Sequence, residues 1–100
     1  THFDADASVT AEKTENGVKV IFSQATGEER VNDYIIRLRN GKGSIAKQIS
    51  VWSHYYLYTM PETITAEIKD VDSGKYTVEV VARGFWRTVS DNSLKTEIEL

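Results

Sequence analysis

The stretch IKDVDSGKYTVEVVA, residues 68–82, decides the fold class. Its second half alternates, with Tyr76, Val78, Val80 and Ala82 on one face and Thr77, Glu79 and Val81 on the other. A period of two belongs to an extended strand and not to a helix. Before it lies Asp72-Ser73-Gly74, a cluster of the small polar residues and glycine that reverse a chain. Ile68 in turn closes a second alternating run, TITAEIK (63–69), with Ile64, Ala66 and Ile68 on one side. The stretch therefore reads as strand, turn, strand, each strand with one apolar face.

The same period continues outward in both directions. GVKVIFS (17–23) sets Val18, Val20 and Phe22 against Lys19, Ile21 and Ser23. YIIRLRN (34–40) sets Tyr34, Ile36 and Leu38 against Ile35, Arg37 and Arg39. SIAKQISVW (44–52) keeps Ile45, Ile49 and Val51 in register, with Lys47 interrupting the apolar face. SLKTEIEL (93–100) offers Leu94, Ile98 and Leu100 inward. A strand around Ala7, Val9 and Ala11 makes seven. Asn16-Gly17 and Asn40-Gly41 supply the dipeptides that tight hairpins take at positive φ. Pro61 stands just ahead of a strand, where its missing N–H costs least. Seven short strands punctuated by turns predict a seven-stranded antiparallel β-sandwich over residues 7–100. Residues 1–6, THFDAD, read as a tether.

Composition bounds the function classes. One hundred residues make one domain, with little room for a deep catalytic cleft. A net charge of −3 argues against a nucleic-acid face, and the lack of cysteine excludes disulfides and thiolate metal sites. No apolar run is long enough to span a bilayer. The chain begins at Thr1 without a signal peptide and is read as a mature fragment or an excised domain.

The spacing Ile68-x-x-Val71-x-x-Gly74-x-Tyr76-x-Val78-x-Val80-x-Ala82 resembles the signature of fibronectin type III domains. The resemblance implies that Tyr76 is a corner tyrosine, its ring in the core and its hydroxyl on backbone of the preceding bend. Tyr34-x-Ile36-x-Leu38 matches the third strand of that family, and Phe22 stands where many members carry tryptophan. A narrower resemblance covers YYLYTMPETITAEIKDVDSGKYTVEVVA, residues 55–82. It looks like the small sandwich at the C-terminal end of some secreted bacterial metallophosphoesterases. That resemblance implies an extracellular or cell-surface location and an accessory role. The catalytic His and Asp motifs of those enzymes are absent here, so no catalytic residue is carried over and no enzymatic activity is expected.

What needs explaining is the ring-rich connection WSHYYLYTMP, residues 52–61. A sandwich brings three loops to one end: SQATGEERVND (23–33), the connection holding SHYYLYTMP (53–61), and RGFWRTVSDN (83–92). Tyr55, Tyr56 and Tyr58 are then expected near Phe85, Trp86 and Arg87, an aromatic and arginine mixture typical of interface cores. Trp86 is the ring expected to be most exposed. Three readings stay open. The rings close the core, or they dock a neighbouring domain of the same chain, or they stack on polysaccharide. A passive spacer in a tandem array is a further class. The domain is expected to be a monomer.

Other chemistry is weaker. Asp70 and Asp72 have the spacing of a calcium loop, but its final position would fall on Val81; a solvated turn is the better reading. Asp4 and Asp6, in the opening segment, are likewise read as solvated. His2 and His54 are too isolated for a zinc site, and Ser53-His54 has no orienting acid, so no metal and no cofactor are expected. Residues 34–61 carry Arg37, Arg39, Lys42 and Lys47 without an acid. Cross-strand pairing of Arg37 and Arg39 with Glu79 is the expected outcome.

Overall fold

A computed structural model describes residues 1–26, 31–53, 62–86 and 88–100. Seven strands run in order: β1 (Val9–Lys13), β2 (Gly17–Ser23), β3 (Val31–Arg39), β4 (Ile45–Trp52), β5 (Thr63–Lys69), β6 (Lys75–Gly84) and β7 (Leu94–Glu99). They form two antiparallel sheets, ordered β1-β2-β5 and β4-β3-β6-β7, and no helix occurs among the described residues. The two sheets face one another in a sandwich-like arrangement.

The alternation read from the sequence places the core. Val18, Val20 and Phe22 of β2 and Ile64, Ala66 and Ile68 of β5 are buried on one sheet. Tyr34, Ile36 and Leu38 of β3 and Tyr76, Val78, Val80 and Ala82 of β6 are buried on the other. Burying one such large aliphatic side chain stabilises the fold by about 1.5–3 kcal/mol. Tyr34 packs edge-on against Phe22, with centroids 4.9 Å apart, and lies 6.2 Å from Phe3. Its hydroxyl donates to Gln24 Oε1 and accepts the Ala25 N–H at 2.8 Å. Burial pushes this phenol up to about 12, opposed in part by the Ala25 hydrogen bond.

The Tyr76 ring is buried and its hydroxyl donates to the Asp72 carbonyl at 2.8 Å. Gly74 beside it has φ 149°, a backbone geometry that side chains disfavour. The two Asn-Gly pairs act differently from the expectation, since neither Asn nor Gly in them has positive φ. In the β3–β4 turn, Asn40 Oδ1 accepts the N–H groups of Lys42 and Ser44, and Gly43 supplies the positive φ of 82°. Gly17 opens β2 against β5. A Cβ there would fall 1.9 Å from the Ile68 carbonyl oxygen, so close approach, not turn geometry, requires glycine.

Two further expectations are corrected. Ile45 points outward and is 48% exposed, because the β3–β4 register shifts between Leu38 and Arg39 and pairs Ile45 with outward-facing Arg39. The opening segment, expected as a tether, is pinned down. Phe3 is buried in the core, His2 bridges to Thr26, and Asn92 exchanges two hydrogen bonds with the Phe3 backbone. An aromatic residue within a polar stretch is enough to dock it.

Candidate functional site

The three loops expected at one end of the sandwich are linked there through their described parts. The Gln24 N–H reaches the Glu62 carbonyl. The Ser53 N–H bonds Asn32, and its hydroxyl donates to the Val31 carbonyl. Residues 1–3 stitch the first loop to the third: His2 pairs with Thr26, and the Asp91 N–H donates to the Thr1 carbonyl at 3.0 Å. The chain therefore starts at this end, while Leu100 pairs with Gly74 at the other.

Phe85 and Trp86 occupy the tip of the β6–β7 connection. The Gly84 N–H donates to the Thr88 carbonyl and the Ser90 N–H to the Ala82 carbonyl, so the chain reverses tightly and carries both rings outward. Ser90 Oγ accepts the Ala82 N–H and donates to the Asn92 carbonyl, bracing the base of the turn. Trp86 is 85% exposed and Phe85 44%. Tyr55, Tyr56, Tyr58 and Arg87 lie outside the described residues. The other residues singled out from the sequence, Phe22, Tyr34, Gly74 and Tyr76, serve the core and its corner.

Sequence reasoning missed a second group at this end, on the outer face of the four-stranded sheet. Asp33 pairs in register with Trp52 on one side and Arg83 on the other, and Arg83 bridges to Val89. Directly opposed residues on antiparallel strands share a face, so Trp52, Asp33, Arg83 and Val89 form one cross-strand row. Trp52 is 60% exposed and Val89 57%, yet the Asp33 carboxylate between them is buried. Arg83 grips that carboxylate as a fork: Nε donates to Oδ1 at 2.8 Å and Nη2 donates to Oδ2. The Asp33 hydrogen bonds hold the guanidinium more firmly protonated than usual, against the effect of burial. Strand alternation could have found Trp52, because Val51 faces inward opposite Tyr34. The Asp33–Arg83 pair spans fifty positions and leaves no local mark.

Two rows along the same face, Arg37 Nη1 and Arg39 Nη2 each lie 3.3 Å from Glu79 Oε1, and Lys95 Nζ lies 3.8 Å from Oε2. Burial pushes the Glu79 carboxyl up, but the hydrogen bonds and charges of Arg37, Arg39 and Lys95 outweigh it and hold it below its ordinary value. The cations expected to pair with Glu79 do so. Between these rows lie Ile35 and Val81, paired with each other and buried although they face outward. At the opposite end, an open groove of about 570 Å³ runs between the β3–β4 turn and β7, past Lys75, Thr77, Glu97 and Glu99. Among the described residues no group of three or more His, Cys, Asp or Glu side chains is placed to hold a metal ion. No protein-family model matches the chain, and no curated protein matches it.

Proposed function

We propose that this chain is a non-catalytic, fibronectin type III-like accessory module of a larger secreted or surface protein, and that it docks a neighbouring domain through Phe85 and Trp86. The observation that carries this reading is the exposure of both rings at the tip of a turn whose base is braced by hydrogen bonds. Asp91, in the same connection as the rings, donates its N–H to the Thr1 carbonyl and so helps hold that connection in place. Large aromatic side chains at the tip of a braced turn contribute little to the core and much to an interface. Support for the family-level reading comes from the Tyr76 corner and from strand order. β4 joins β3 instead of the sheet of β1, β2 and β5, unlike the constant-type immunoglobulin arrangement, which adds its fourth strand to the other sheet. By the narrower resemblance, the neighbour is a metallophosphoesterase catalytic domain.

Hydroxyl-radical footprinting with mass spectrometry, comparing residues 1–100 alone with the intact parent polypeptide, tests the proposal. Oxidation of Trp86 is expected to fall severalfold in the parent. Equal oxidation in both would leave a spacer with solvent-facing rings and would refute docking.

A further inference from the structure

We propose that the outer face of the four-stranded sheet carries a second site, for an uncharged polysaccharide, with Trp52 as the stacking plate and the Asp33–Arg83 pair as its polar fork. The site is independent of the docking surface, since it uses neither Phe85 nor Trp86.

Trp52 ends β4 and is held in register by pairing with Asp33. Its indole is therefore an exposed plate set by a strand, not by a loop tip. Beside it, in the same row, the Arg83 guanidinium uses Nε and Nη2 on Asp33, while Nη1 has no acceptor among the described residues. Adjacent strands lie about 4.8 Å apart, so the backbones carrying the Arg83 fork and the Trp52 plate lie roughly 10 Å apart across β3. Ser50, exposed and two residues back on the same face of β4, adds a hydroxyl that both donates and accepts. Beneath the next row, buried Ile35 and Val81 make a firm floor.

This set of groups selects its ligand. A sugar ring has an apolar face of C–H groups and a rim of hydroxyls; an exposed indole flanked by donors and acceptors complements both. Asp33 and Arg83 neutralise each other, and the Ser50, Ile35 and Val81 row carries no charge. A charged ligand would have to compete for one member of a bidentate, partly buried pair and leave the other unpaired, which is costly. An uncharged ligand needs only the unspent N–H and the remaining lone pairs.

The test uses the 100-residue protein with Trp86→Phe, which leaves Trp52 as its one indole. Cellohexaose, xylohexaose and mannohexaose are titrated at up to millimolar concentration and Trp52 emission is followed, with polygalacturonate as a charged probe. At least one neutral probe is expected to give a saturable shift. In calorimetry, Trp52→Ala should weaken that binding tenfold or more. Arg83→Lys, which keeps the charge but loses the fork, should weaken it severalfold while the unfolding midpoint shows the domain still folded. No saturable response to any neutral probe, binding that survives Trp52→Ala, or preference for polygalacturonate would overturn the proposal. None of these outcomes bears on docking through Trp86.

Discussion

The two ends of the sandwich treat their unusual residues in opposite ways. At the turn end, each special position has a structural task. Gly74 takes a φ that side chains disfavour, Tyr76 caps the Asp72 carbonyl, Asn40 folds its own turn, and Gly17 lets β2 approach Ile68. At the loop end, hydrogen bonds brace the backbone, but Trp86, Trp52, Val89 and Phe85 stay exposed to solvent. Large apolar groups held in place without being buried add little to folding, and contiguous patches of them mark contact surfaces. The contrast divides the molecule into an end whose special residues serve the fold and an end whose large apolar residues stay exposed, the end proposed to meet a partner.

The strongest way to break that contrast is at Gly17. Gly17→Ala pushes a methyl into backbone that cannot yield, and a loss on the order of 3 kcal/mol is expected from denaturant unfolding. A loss under about 0.5 kcal/mol would show that the turn end tolerates what its geometry forbids.

A smaller effect comes from Tyr34, whose hydroxyl meets Gln24 and Ala25 toward the loop end. Its phenol is raised from an ordinary value near 10 to about 12, so its contribution is complete below pH ~10 and is lost as pH rises through about 12. The loss is on the order of 2 kcal/mol. Tyr34→Phe should flatten the alkaline limb of the stability profile over that window. An unchanged limb would assign it to other groups.

The smallest effect is expected at the loop end itself. Phe85→Ala and Trp86→Ala, singly or together, should change stability by no more than about 0.5 kcal/mol each, as read by thermal and urea unfolding. Losses of several kcal/mol would return these rings to the core and erase the difference between the ends.

How much of this was legible in the sequence follows the same division. The runs 17–23 and 63–69 coincide with β2 and β5, and the alternation from Tyr76 to Ala82 lies within β6, because alternation is local and each apolar face meets one core. Tyr76 was legible for the same reason: its partner lies four residues away. What escaped depends on distant parts of the chain. The bulge that turns Ile45 outward is a property of the β3–β4 pairing and is invisible in either strand alone. Phe3 looked like part of a tether because its contacts, Tyr34 and Asn92, are far off in sequence. The Asp33–Arg83 fork, and its place beside exposed Trp52, appears only once β3 lies between β4 and β6. Phe85 and Trp86 were legible as site candidates because a tight turn bearing two rings is a local oddity.

The docking proposal is tested most directly by side-chain accessibility with and without the proposed neighbouring domain, in the parent polypeptide that the proposal requires. Footprinting that chain alongside residues 1–100 alone should show Trp86 and Phe85 shielded in the parent, with Trp52 oxidised equally in both. Equal oxidation of Trp86 and Phe85 in the two samples would contradict the claim that the loop end is built to meet a neighbour.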